Sequence, residues 1–165
     1  MNKKLRTPVI AGNWKMNNGP AAAEKLINEI KPFAAEADCE VVVCVPAVSL
    51  QAALTAAAWT NIKIGAQNCH WAPNGAFTGE VSAPMLRELG VPYVIVGHSE
   101  RRQYFGETDQ TVHDRTRAAL DAGLKVILCV GELKEQRLSN ITAEVVRLQT
   151  KLALEGVSAE ELEQR

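Results

Sequence analysis

Apolar residues fall along this chain in short consecutive runs, separated by stretches where they recur every three or four positions. Five runs stand out: Val9-Ile10-Ala11, Val41 to Val45, Ile62-Lys63-Ile64, Tyr93 to Val96 and Val126 to Val130. Several are apolar on successive positions rather than alternating, as in strands covered on both faces. Between them the period lengthens to that of a helix. Leu26, Ile27, Ile30, Phe33, Ala34 and Ala37 share one helical face behind Pro20, which suits a first helical turn. Ser49 is placed to cap the alanine-rich stretch to Trp59, Ser82 the helix through Leu89, and Thr108 the helix through Ala122. Gly90 and Gly123 follow the last two, as helix-ending glycines do. A further helical pattern runs from about Thr142 to Glu155, and Ser158 with Glu161 forms a capping-box signature for one more.

Strand alternating with helix implies right-handed βαβ units and an α/β fold around a parallel sheet. The pattern alone does not separate an open doubly wound sheet from a closed barrel. No GxGxxG follows the first strand, which counts against a dinucleotide fold.

Composition narrows the function classes. The 165 residues are expected to form a single domain, 1–165, with no internal linker. Eighteen basic against nineteen acidic side chains give a net charge of -1, and no basic stripe is present, so nucleic acid is not an expected partner. No run approaches the length of a membrane span or a signal-peptide core, which places the expected location in the cytoplasm. Cys39, Cys44, Cys69 and Cys129 are even in number but contain no CxxC pair, and read as buried reduced thiols. His70, His98 and His113 show no metal-ligand spacing, so neither a metal nor another cofactor is expected.

In any parallel α/β sheet, functional groups gather at the carboxyl ends of the strands. There the first strand delivers Asn13 and Lys15, the third Gln67 and Asn68, the fourth His98 and Glu100, and the fifth Glu132. A lysine is a point charge suited to a phosphate. An imidazole beside it polarises a carbonyl or moves a proton. Together they point to a small phosphorylated carbonyl compound. Each residue alone also has a plain reading: Lys15 as a solvated turn residue, His98 as a backbone-bonded strand end, Glu100 with Arg101 and Arg102 as surface ion pairs, and Trp71 and Phe77 as packing beneath their own loop.

Read in order, the segments AGNWKMN (11–17), GAQN (65–68), GAFTGEVSAPML (75–86), VGHSERR (96–102), FGETD (105–109) and CVGE (129–132) closely resemble the triosephosphate isomerase family. The resemblance implies a (β/α)8 barrel, here represented by about five parallel strands with their helices. It also implies interconversion of dihydroxyacetone phosphate and glyceraldehyde 3-phosphate through an enediolate. On that model His98, Lys15 and Glu100 are catalytic, and Asn13 and Lys15 bind substrate. Lys15 would grip the phosphate, His98 would polarise the carbonyl as a neutral electrophile, and Glu100 would order Lys15. A helix N-terminus keeps the imidazole neutral, as is well known of this family, and SERRQYF after His98 is placed to supply it. The loop carrying Trp71, Phe77 and Thr78 would enter a second copy of the chain, making a homodimer.

A (β/α)8 barrel takes about 250 residues. The family's general base, a glutamate after the sixth strand in an YEPVWAIG-like motif, has no counterpart in these 165 residues. The isolated chain is therefore expected to be severely impaired as an isomerase. An alternative reading is a noncatalytic phosphate-binding or assembly module completed by a separate chain.

Overall fold

The computed structural model describes residues 7–164. Five strands alternate with helices: β1 (Val9–Asn13), α1 (Pro20–Ala35), β2 (Glu40–Val45), α2 (Leu50–Ala57), β3 (Ile62–Ala66), α3 (Ala83–Leu89), β4 (Tyr93–Val96), α4 (Ser99–Tyr104), α5 (Asp109–Asp121), β5 (Lys125–Leu128), α6 (Lys134–Leu138), α7 (Thr142–Ala153) and α8 (Ala159–Gln164). The strands lie in the order β1-β2-β3-β4-β5. Every neighbouring pair is parallel. Sequential order with parallel pairing is the barrel topology rather than the doubly wound one, and the five strands form a half-barrel.

The two faces of the sheet have different partners, because side chains alternate along a strand. Val43, Val45, Ile62, Ile64, Val94 and Val96 point outward and pack with Ile27, Leu50, Leu86 and Val112 from the helices. Val42, Cys44, Tyr93 and Ile95 point inward and form a smaller cluster with Ile127 and Cys129. β1 and β5 are the edge strands. Ile10 on β1 is 63% exposed, while β5 is half-buried throughout.

Most helix boundaries follow local chemistry. Pro20 opens α1. Ser82 Oγ accepts from the Met85 N–H at 3.4 Å. Thr108 and Thr111 exchange side-chain to backbone bonds at 2.9 and 3.2 Å. Ser158 and Glu161 do the same at 2.9 and 3.2 Å. Gly90 and Gly123 adopt the left-handed conformation expected of them.

Three expectations are corrected. Ser49 caps nothing: it ends a 3₁₀ turn (Ala47–Ser49), and its hydroxyl donates to the Asn18 carbonyl at 2.8 Å. Phe33 does not share the buried face of α1; that face is Ala23, Ile27 and Ala34, and Phe33 stands 79% exposed. β5 begins at Lys125, one residue before its apolar run, and ends at Leu128, two residues before the run does, because Cys129 and Val130 already turn into the loop above. The short helices α4 and α6 lie in segments with too few turns to show a period.

Candidate active site

The loop after β1 holds Lys15 in an unusual backbone. Its φ is +53°, a left-handed conformation that costs a non-glycine residue about 1–2 kcal/mol. Both backbone polar groups are occupied. Asn13 Oδ1 accepts from the Lys15 N–H at 2.9 Å. Gln67, one residue past β3, donates through Nε2 to the Lys15 carbonyl at 2.9 Å and to the Cys44 carbonyl at 3.0 Å. With the backbone gripped from two sides, the side chain extends across the strand ends, and its Nζ donates to Glu100 Oε1 at 2.7 Å. That bond, with the ammonium charge behind it, holds the Glu100 carboxyl below its ordinary range.

His98 is delivered by a glycine. Gly97 follows β4 with φ +73°, and a Cβ there would lie 2.9 Å from Val112 Cγ1, so the chain turns against α5 only because the side chain is missing. His98 then caps α4. Its Nδ1 accepts from the Glu100 N–H at 3.2 Å. An accepting Nδ1 carries no proton, so the neutral ring has its hydrogen on Nε2 and presents it as a donor. Asn13, Lys15, His98 and Glu100 are thus brought together from β1 and β4, with the helix-start N–H at the imidazole that SERRQYF was expected to supply.

Glu132 stands apart. Arg137 Nη2 lies 2.6 Å from its Oε1 and Thr142 Oγ1 donates to the same oxygen at 3.2 Å. Its own backbone N–H leads the interactions that hold its carboxyl low, with Arg137 next. Glu132 lines, with His98, Arg102 and Gln149, a cavity of about 830 Å³ above β4 and β5. Gln149 clamps the cavity wall, accepting from the Gly131 N–H at 2.8 Å and donating to the Gly131 carbonyl at 3.2 Å.

Beneath the loop after β3 lies a network that sequence reading did not find. Glu107 and Arg115 are both buried, and Arg115 Nε lies 3.4 Å from Glu107 Oε1. Arg101 Nε donates to the same carboxylate oxygen. Arg115 also donates to the Cys69 carbonyl and, at 3.4 Å, to Asn68 Oδ1, with its guanidinium 4.9 Å over the Trp71 ring. Glu107 lies inside the quoted FGETD segment, but no local signal marks Arg115, whose partners are distant in sequence. The loop also packs on itself: the His70 ring lies 4.1 Å from both the Trp71 and Phe77 ring centres. Trp71, Phe77 and Thr78 nevertheless stay exposed.

The cysteines are all free, and two of the four are fully buried, Cys44 and Cys69; Cys39 and Cys129 are only partly so, which corrects the expectation for those two. Burial pushes the thiols of Cys44 and Cys69 up to about 12. Among the described residues, no three His, Cys, Asp or Glu side chains group to hold a metal ion, and no helix is long and apolar enough to cross a membrane.

Comparison with known proteins agrees with this geometry. The family model for triosephosphate isomerase matches residues 8–165. The triosephosphate isomerase of Acetivibrio thermocellus is 57% identical over 159 residues, covering 96% of this chain and 63% of that protein. That of Clostridium novyi is 51% identical over 154 residues, covering 93% and 62%. The crystal structure of triosephosphate isomerase from Bartonella henselae superposes with a TM-score of 0.86 at 40% identity, covering 94% of this chain and 65% of that one. The chain thus spans a little under two thirds of the length of these relatives, and at this identity and coverage it belongs to the triosephosphate isomerase family.

Proposed function

We propose that the residues gathered at the ends of β1 and β4 are the phosphate-gripping and carbonyl-polarising part of an aldose–ketose isomerase site, acting on a triose phosphate. The observation that carries this reading is the placement of Lys15 Nζ, 2.7 Å from Glu100, beside an imidazole whose Nδ1 is already occupied. In the reaction, the Lys15 ammonium would balance the phosphate dianion and the negative charge that develops on the enediolate. His98 would donate its Nε2 hydrogen to the carbonyl oxygen and take a proton back from the neighbouring hydroxyl, which becomes the new carbonyl as the double bond shifts. The isomerisation needs no oxidant or cofactor, since one carbon-bound proton leaves and another returns.

The step these residues do not supply is removal of that carbon-bound proton. Glu100 is held low by Lys15, and Glu132 by its own N–H and Arg137, so both carboxylates are weak bases. Residues 1–165 are read as one domain of the cytoplasm. The loop bearing Trp71, Phe77 and Thr78 is read as an arm reaching a second copy of the chain; exposed aromatic side chains on an ordered loop support that reading.

The test is a coupled isomerase assay with glyceraldehyde 3-phosphate, run beside a Lys15→Ala control and paired with calorimetric titration of inorganic phosphate. Phosphate binding that disappears in Lys15→Ala, with turnover near the control, is the expected result. No phosphate binding by the parent chain would sink the proposal. Lys15-dependent turnover would instead make Glu132 the next residue to change.

A further inference from the structure

At the foot of the sheet, opposite the candidate site, three polar side chains meet on the inward face. Lys125 opens β5, Tyr93 opens β4 and Glu40 opens β2. Lys125 Nζ lies 3.4 Å from Glu40 Oε2 and 3.5 Å from Oε1, and donates to the Tyr93 hydroxyl at 3.3 Å. The same ammonium stands 5.2 Å from the centre of the Tyr93 ring. Burial, followed by a hydrogen bond with Glu40, pushes the Tyr93 hydroxyl well above its ordinary range.

This contact is informative because of the strands it skips. β3 and β4 lie between β2 and β5. At a strand spacing of about 4.8 Å, a flat sheet would hold β2 and β5 roughly 14 Å apart. Curvature closes part of that distance, and Gly65 makes room on β3 for Tyr93 to lean inward. Gly65 pairs with Cys44 on one side and Tyr93 on the other. A Cβ at Gly65 would lie 2.6 Å from Cys44 Sγ and 3.3 Å from Tyr93 Cβ. At that level Cys44 of β2 and Tyr93 of β4 approach each other over β3, which lets the Tyr93 ring reach toward the foot, where Lys63 of β3 lines the same hollow as Glu40 and Lys125.

We propose that Glu40, Tyr93 and Lys125 form a tie across the foot of the sheet that holds its curvature from the end opposite the candidate site. The Lys15–Glu100 pair spans the same number of strands at the other end, from β1 to β4. The half-barrel is thus strapped at both mouths, and the tie stands whatever chemistry the upper site performs. It acts at a distance, so loosening it on β5 is felt on β2.

Hydrogen exchange read by mass spectrometry on the full chain tests this. Lys125→Met and Glu40→Gln are each expected to speed exchange of both β2 and β5 amides about fivefold, with the double variant no faster than either. Lys125→Arg should stay within about twofold of the parent. The tie is overturned by effects confined to the strand that carries each substitution, or by single effects that multiply to about 25-fold in the double variant. Should Lys125→Met lose the fold, Tyr93→Phe keeps the ring and removes only the hydroxyl. Faster exchange in β2 then supports the tie, and unchanged exchange there refutes it.

Discussion

Gln67 Nε2 lies 2.9 Å from the carbonyl oxygen of Lys15, fifty-two residues away in sequence. With Asn13 holding the N–H on the other side, the pair keeps Lys15 in a left-handed conformation that it would leave if released. Gln67→Leu is expected to cost about 1–2 kcal/mol in urea unfolding, since two carbonyls lose a donor. It should also weaken phosphate binding without touching any charge. Unchanged affinity in a folded variant would mean the left-handed backbone does not aim the ammonium.

The Lys15–Glu100 pair makes a reciprocal prediction. Glu100 is held low first by its hydrogen bond from Lys15, so Lys15→Ala should raise the midpoint of its titration toward the ordinary value of 4.5. Carbon-detected NMR of the Glu100 carboxyl reads this directly. A midpoint that stays low would assign the effect to His98 and the helix start instead.

Gly97 is the hinge between a buried strand and the imidazole. An alanine there would adopt an unfavourable φ and press its Cβ to 2.9 and 3.1 Å from the two Val112 methyls and 3.2 Å from the Cys129 carbonyl. Gly97→Ala is expected to lower stability by about 3 kcal/mol, combining backbone strain with overpacking. Thermal unfolding within about 1 kcal/mol of the parent would show that α5 gives way.

Much of this was legible in the chain because local rules and tertiary context agree. The consecutive β-branched residues of β2 need two covered faces, and the fold provides them. Thr108 and Ser158 cap as expected, each hydroxyl oxygen accepting from the backbone N–H three residues on. Ser49 fails as a cap because the 3₁₀ turn before it already holds its backbone in a helical conformation, while its hydroxyl hydrogen goes to the Asn18 carbonyl. Phe33 fits the period of α1 yet lies beyond what the sheet covers, which no periodicity records. Lys15, Asn13, His98 and Glu100 were found as strand-end residues, and only three dimensions join β1 to β4. Arg115 stayed invisible for the same reason, since its partners lie in three other segments.

Arg115 and Glu107 expose 6% and 2% of their side chains, so neither charge is tolerated alone. Arg115→Met should cost about 3 kcal/mol by leaving the Glu107 carboxylate with Arg101 as its remaining cation. Adding Glu107→Leu should recover part of that loss, because an apolar pair removes the stranded charge. A double variant as unstable as the sum of both singles would argue that packing, not charge, governs the site. The comparison is made by urea unfolding at neutral pH.

The last helix is fastened by a charge whose titration sets a pH signature. Arg117 Nη2 donates to Glu161 Oε1 on α8 and lies 2.7 Å from Asp121 Oδ1 on its own helix. That donation, with the N–H and hydroxyl of Ser158, lowers the Glu161 carboxyl from 4.5 to about 2. Because the folded value is the lower one, the folded state binds fewer protons than the unfolded state in this range, and stability is lost as the pH is lowered. The contribution is complete above about 4.5, declines as pH drops, and is gone below about 2. Glu161→Gln removes the titration and keeps the side-chain shape, so its stability should fall less steeply than the parent's between those two values. Protection of α8 amides, taken relative to their intrinsic exchange rate at each pH, should fall over the same window in the parent alone. Identical pH slopes for parent and variant would show that the Arg117–Glu161 contact does not fasten α8.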